Sequence, residues 1–380
     1  MKVHPQAVKL EFLPPDRFAH AFHPAAGERP ALRALTVIPG QADSGRIRDV
    51  PEPPERDGPI LVETVAVGVC GTDREILAGH YGEAPEGEGH LILGHESIGR
   101  VREAPPGSGL SPGDWVTGIV RRPDPVPCPN CAAGEWDMCR NGLFTERGIK
   151  GRHGFASQRF RIEPGFAVRV DPALGQLGVL LEPASIVAKA WDHIERIGRR
   201  AHWEPRRVLV TGAGPIGLLA ALLGMQRGLE VHLFDRNEKG IKPELAAGLG
   251  AFYHTGAIET DCPRADVVIE ATGAPQIVVD AIRHNCPHSI VCLTGISSGG
   301  RAIELDVGGL STKLVLENDA VFGSVNANRS HFEAAAAALA GADRRWLGRL
   351  ITRRLPLDRW NEMTERDSSR DVKTILDFAA

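Results

Sequence analysis

Two hydrophobic rhythms follow one another along the chain. Leu35-Thr36-Val37-Ile38 and Ile60–Val67 open a stretch, reaching to about residue 170, in which short β-prone runs alternate with turn signals. Pro112-Gly113-Asp114 ahead of Trp115-Val116-Thr117 is one such turn. Short strands at this spacing predict a β-rich module. From Ile186 to Ile197 the apolar residues fall at helical spacing, and Arg207–Thr211 then reads as a buried strand. Strand-like runs at Glu230–Phe234, Ala265–Glu270 and Ser289–Thr294 follow, with helical stretches at Leu218–Arg227 and Gln276–His284 between them. That alternation predicts βαβ units, hence an α/β doubly wound parallel sheet behind a β domain. An Ala-rich helix is expected at His331–Leu339, and Leu355–Asp358 resembles neither neighbour. Residues 1–31, punctuated by Pro14-Pro15, Pro24 and Gly27, hold no period and read as an irregular extension.

Composition narrows the function classes. A chain of 380 residues suggests two or three domains at the usual ~100–200 residues each. Apolar residues at 42% with 24% charged exclude wholesale disorder. Forty-four Lys and Arg against 48 Asp and Glu leave a net charge of −4, which supports neither a nucleic-acid nor an anionic-membrane partner. No apolar run approaches the ~18 residues of a membrane span, and Met1-Lys2-Val3-His4-Pro5 lacks a signal-peptide core, so a soluble cytoplasmic protein is expected. Seven cysteines matter through their spacing, because Cys128, Cys131 and Cys139 crowd into twelve residues. In a long chain of this kind such a cluster points to a metal before a disulfide framework.

Gly212-Ala213-Gly214-Pro215-Ile216-Gly217 fits G-x-G-x-x-G between an apolar strand and a helical stretch. The first glycine allows a tight turn, the second lets a pyrophosphate approach the backbone, and the third lets helix and strand pack closely. Helix N–H groups and the helix dipole receive the anion, so dinucleotide binding is expected. Asp235 ends the next strand, eighteen positions beyond Gly217, where a carboxylate bonds the adenosine ribose and repels a 2′-phosphate. Arg236 follows and could hold that phosphate instead. The balance favours NAD, with NADP possible; a solvated charge pair is the bland alternative.

Cys70-Gly71-Thr72-Asp73 follows a strand, and Gly94-His95-Glu96 brings imidazole and carboxylate 25 residues on from Cys70. Thiolate, imidazole and carboxylate are ligands that Zn²⁺ accepts, and a catalytic zinc keeps one position open. Singly, Cys70 fits a buried core thiol and His95 a satisfied core histidine just as well. Their joint occurrence ahead of a dinucleotide fold favours a metal.

With Pro112-Gly113-Asp114 and Val116, Glu182-Pro183 and Gly212–Gly217, these motifs stand in the order of the zinc-dependent medium-chain dehydrogenase/reductase superfamily, which the chain resembles from about Leu32 onward. It is most similar to the archaeal-type glucose 1-dehydrogenase branch. The features are Glu86-Gly87, Arg121-Arg122-Pro123, Glu146-Arg147-Gly148-Ile149 with Gly151, His153-Gly154-Phe155, and Gly323-Ser324-Val325-Asn326 before His331-Phe332. The resemblance implies a GroES-like catalytic domain at 32–186, a Rossmann domain at 187–324 and a return to the catalytic domain at 325–380. It implies a catalytic zinc on Cys70 and His95, with Glu96 or Glu182 as third ligand, directly or through water. Thr72 would relay the substrate proton, and Glu146, Glu182 and Asn326 would contact sugar hydroxyls. It adds Thr272, Gly273, Val325 and Asn326 to the cofactor contacts, and a homodimer or homotetramer as the assembly. The implied reaction passes a hydride from the anomeric carbon of an aldose or related polyol to NAD(P)⁺. A zinc dehydrogenase of another secondary alcohol is the alternative, and a non-catalytic nucleotide-binding relative is an alternative of another class.

Two departures stand out. The family's cysteine lobe often carries four thiols, but Pro125 stands where the first would be, leaving Cys128, Cys131 and Cys139. A closed tetrahedral zinc then needs a fourth ligand, for which Asp124, Glu135 and Asp137 are the candidates; a metal-free loop is equally open. Ala188 precedes Lys189 where related glucose enzymes tend to place an acid, and it cannot accept a hydroxyl hydrogen bond.

Overall fold

Ile60–Val69, almost wholly buried, is the hub of a seven-stranded sheet in the computed structural model, which describes residues 31–297, 302–365 and 367–379. The irregular extension expected over residues 1–31 lies outside these except for Ala31. The hub pairs antiparallel with Glu96–Glu103 on one side and with Lys373–Asp377 on the other, Thr374 opposite Val69 and Asp377 opposite Ala66. The chain's last strand therefore closes on its first third. Ile351–Pro356 lies beyond it, parallel. Leu355–Asp358 fits neither rhythm because it joins the end of that strand to a 3-10 helix at Leu357–Thr364. The run expected at Leu35–Ile38 belongs to a longer strand, Leu32–Val37, in a small separate sheet.

A second sheet is wholly parallel. Its order is 252–254, 230–234, 207–211, 267–270, 290–293, 320–323. The strand order reverses across Arg207–Thr211, so the carboxyl end of that strand is a topological switch point, where open α/β sheets bind ligands. The helix Pro215–Gln226 starts there, three residues before the apolar rhythm, because proline is tolerated at the first helical position. It is apolar nearly all round and buried along most of its length, as a helix enclosed on every side must be. The helix Leu181–Gly198 packs beside it and against Arg329–Ala340. One continuous core runs from Leu32 to Leu376 through both sheets. Among the described residues no helix is long and apolar enough to cross a membrane.

Candidate active site

Cys70 caps the helix Gly71–Leu77, directly after the hub strand. The Cys70 amide donates to Asp73 Oδ2 at 2.8 Å, and the Thr72 amide donates to Cys70 Sγ at 3.2 Å. A capping box thus fixes the thiol's direction. His95 directly precedes the neighbouring strand Glu96–Glu103 and follows Gly94, whose φ of +86° and approach to Val67, 2.6 Å from where a Cβ would stand, require glycine. His95 Nε2 lies 3.0 Å from Cys70 Sγ, and Nδ1 faces Asp73 Oδ1 at 3.3 Å. One buried carboxylate therefore orients two candidate ligands, as outer carboxylates do behind metal-bound histidines. Sequence reasoning quoted Asp73 within the motif but assigned it no role; its place three residues after a helix-capping residue is the signal that would have found it.

Cys70, His95 and Glu96 offer donor atoms within 4.8 Å of one another. Glu182, in the first turn of its helix, stands outside that set of three. Glu96 also forms an ion pair with Lys373, both side chains at most 2% exposed. The Lys373 ammonium donates to Val69 O at 3.1 Å. Burial and the neighbouring Glu96 push the Glu182 carboxyl up to about 7. Burial opposes protonation of His95, yet Cys70 and Asp73 outweigh it and hold the imidazole well above its ordinary pKa. Such a pocket, rich in anionic donors, favours a cation, and its donor chemistry fits zinc. No local pattern marks Lys373, which arrives on a strand some three hundred residues downstream.

Glu146 and Asn326 meet although 180 residues apart: Asn326 Nδ2 donates to Glu146 Oε1 at 2.7 Å. Arg121, a second residue without an assigned role in the sequence reading, donates to the same oxygen through Nε at 3.1 Å. The adjoining turn packs tightly on the ligand strand, since a Cβ on Gly148 would stand 2.4 Å from Gly94 O. That turn, two residues on from Glu146, is thereby set beside the residue that precedes His95.

Cys128, Cys131 and Cys139 also bring their sulfurs within 4.8 Å. No carboxylate lies within that spacing of them among the described residues, and the three candidates for a fourth ligand have other partners. Asp124 accepts the Val126 amide at 2.8 Å, Glu135 faces Arg196 at 3.7 Å, and Asp137 pairs with Lys189 at 2.8 Å. The amides of Arg140 and Cys131 draw the Cys128 thiol down to about 6, while burial pushes Cys131 up to about 11.

At the switch point Gly212 has φ +91°, and a Cβ on Gly217 would fall 1.7 Å from Gly212 O, so the third glycine of the motif is a steric necessity. Gly214 caps the helix that Pro215 and Ile216 begin. Thr272 and Gly273 border the turn, Thr272 Cγ2 lying 2.9 Å from the Cβ position of Gly212. Glu270, fully buried and unnoticed in the sequence, holds them by accepting the Thr272 amide at 2.7 Å. Asp235 stands at the turn with its carboxylate already engaged: Ala213 N donates to it at 2.8 Å, Asn237 Nδ2 at 2.6 Å and Lys242 Nζ at 3.0 Å. Burial opposes its charge, but the Ala213 amide and Lys242 prevail and keep the carboxyl below its ordinary pKa. Arg236 is exposed, as is Val325, whereas Asn326 adopts φ +62°.

A family model for the glucose dehydrogenase C-terminus matches residues 175–378, and one for the alcohol dehydrogenase GroES-like domain matches residues 56–172. The chain is 39% identical to a glucose 1-dehydrogenase of Methanocella arvoryzae, over 92% of this chain and 100% of that one. It is 39% identical to a glucose 1-dehydrogenase of Thermoproteus tenax, over 91% and 99%. Among solved structures, Haloferax mediterranei glucose dehydrogenase in complex with NADP, Zn and gluconolactone superposes with a TM-score of 0.84 at 33% identity, covering 92% of this chain and 99% of that one.

Proposed function

Because the chain belongs to the glucose 1-dehydrogenase family of zinc-dependent medium-chain dehydrogenases, we propose that it oxidises the anomeric carbon of an aldose of the glucose class to a lactone. The reaction removes a hydride from that carbon and a proton from its hydroxyl. When bound, zinc supplies Lewis acidity toward that hydroxyl and NAD(P)⁺ takes the hydride. Cys70, His95 and Glu96 would hold the zinc. Asp73 keeps His95 in the tautomer that presents Nε2, and Lys373 balances the charge of Glu96. Thr72, half-buried beside Cys70, passes the hydroxyl proton outward. Gly212–Gly217 receive the pyrophosphate, and Thr272, Gly273, Val325 and Asn326 complete the cofactor cleft.

The observation that carries the reading is the Glu146–Asn326 hydrogen bond beside the ligand strand. A carboxylate and an amide on one edge supply the acceptors and donors that a polyhydroxylated ring requires and a simple alcohol does not. Aldoses, polyols and secondary alcohols assayed for NADH and NADPH formation test it: aldoses should give the highest kcat/KM, with lactone as product. Ala188, apolar and buried, favours a second reading in which a more specialised alcohol replaces glucose. Turnover of secondary alcohols alone would establish that alternative.

For the cofactor we favour NAD, with NADP accepted. The Asp235 carboxylate is held in place by Ala213 and Lys242, whereas Arg236 must turn inward from solvent to help a phosphate. Asp235→Ser should shift discrimination toward NADP by about 10–100-fold, roughly 1.4–2.7 kcal/mol. A wild-type enzyme that already prefers NADP would show that Arg236 prevails. The thiols of Cys128, Cys131 and Cys139 would hold a second zinc. A homodimer is the assembly we favour, because Ala320–Gly323 is the edge strand of its sheet among the described residues, and Ile296, Val315 and Leu316, near it in sequence, are exposed. Leu316→Lys should give a monomer by light scattering.

A further inference from the structure

We infer that Asp137 is a positioning residue for the sugar contacts, through which the cysteine lobe acts on substrate affinity; this rests on the assignment of Glu146 and Asn326 to those contacts. Asp137 lies between Cys131 and Cys139, in the turn Trp136–Met138. Its carboxylate turns away from the thiols and pairs with Lys189 Nζ at 2.8 Å, both side chains at most 2% exposed. The same ammonium donates to Val325 O at 2.9 Å. The Asp137 carbonyl accepts Arg121 Nη1 at 3.1 Å, and Arg121 Nη2 reaches Glu146 Oε1 at 3.0 Å. Asn326 Nδ2 donates to that oxygen at 2.7 Å and directly follows Val325 in the chain, which closes a ring.

Lys189, Asp137, Arg121, Glu146, Asn326 and Val325 thus form one circuit, with the sugar contacts on one side and the lobe on the other. A buried lysine–aspartate pair contributes little net stability over well-packed apolar residues, because desolvation offsets its attraction. What it does supply is direction. Lys189 fixes Val325 O, and with it the backbone leading into Asn326, whose φ is +62°, a left-handed conformation that asparagine tolerates better than most residues. Neutralising Asp137 leaves the ammonium without its counter-ion, frees Val325 O, and lets the Asn326 amide leave Glu146. The zinc ligands and the glycine turn stand outside the circuit, and of the cofactor contacts only Val325 and Asn326 belong to it, so the defect falls mainly on sugar affinity.

Steady-state kinetics in a double-mutant cycle test this. Asp137→Asn should raise KM for the best aldose about 10-fold, with kcat within about threefold and any rise in the cofactor KM smaller than that in the sugar KM, and Asp137→Glu should recover most of the loss. Asn326→Ala should raise the same KM, and the combined variant should be no worse than Asn326→Ala alone, since both act on one contact. An unchanged sugar KM in Asp137→Asn beside a raised one in Asn326→Ala would overturn the inference, as would two effects that multiply. If Asn326→Ala itself leaves the sugar KM unchanged, the sugar-contact assignment falls and the inference with it. Should Asp137→Asn not fold, Lys189→Gln enters the same cycle with the same outcomes.

Discussion

Of the four clusters of three candidate ligands among the described residues, each with its donor atoms within 4.8 Å, two contain cysteine, and those two are built in opposite ways. The reaction cluster mixes sulfur, nitrogen and oxygen donors from a helix cap and from the start of a strand, and buried charges stand behind it: Asp73 behind His95 and Lys373 behind Glu96. The lobe cluster is all thiol and comes from one stretch of twelve residues, with main-chain amides behind Cys128 in place of side-chain charges. A site that must tolerate a change of charge during turnover needs counter-charges fixed by tertiary contacts. A local brace needs only a short chain folded on itself. The difference implies that damage to the first removes chemistry, and damage to the second removes stability.

The strongest test of that division is His95→Ala. Loss of a zinc ligand should lower kcat/KM by at least about 10³-fold, since Lewis-acid stabilisation contributes several kcal/mol. Cofactor affinity by NAD(H) fluorescence titration should stay at the wild-type value, because the glycine turn lies on the other sheet. Wild-type turnover in a variant shown to contain no zinc would refute the division outright.

Asp73→Ala sharpens it. This residue touches two ligands without joining the three-donor cluster, so its loss should cost about 10–100-fold in zinc affinity or activity. Zinc content and kcat/KM measured on the same preparation check it, and excess zinc should recover part of the activity. A smaller effect than that of any lobe variant would erase the contrast.

The mildest kinetic effect is expected from Cys131→Ser. Its melting temperature should fall by about 5 °C or more if the lobe holds a metal, while kcat changes less than about tenfold. Removal of zinc from the wild-type protein with a chelator should separate the two clusters in the same way: turnover lost through one, thermal stability through the other. An unchanged melt for Cys131→Ser with one zinc per chain in the wild type would mark the lobe as a metal-free brace.

Much of this was open to a reader of the sequence. Strand–helix alternation between Arg207 and Thr294 specified the parallel sheet, because hydrophobic period is a property of neighbouring residues. The glycine turn, the thiol–imidazole–carboxylate motifs and the three clustered cysteines were visible for the same reason. Even Asp73 lay within reach, three positions after its capping residue. By contrast, the sheet partner of the hub strand's far edge carried no local sign, and Leu355–Asp358 was ambiguous because it straddles two elements.

What the sequence determined by itself is therefore the list of chemical groups and the class of fold that carries them. What only the tertiary structure decided is which groups share a charge. Lys373 stands beside Glu96 because antiparallel register sets Thr374 opposite Val69. Asp137 serves Lys189 and not the thiols, and Asp235 already accepts from Ala213 and Lys242. These pairings depend on distances of a few ångströms between residues seven to nearly three hundred positions apart. Local propensity does not encode such distances, and burial, which decides whether a charge must find a partner, exists only once the chain has folded.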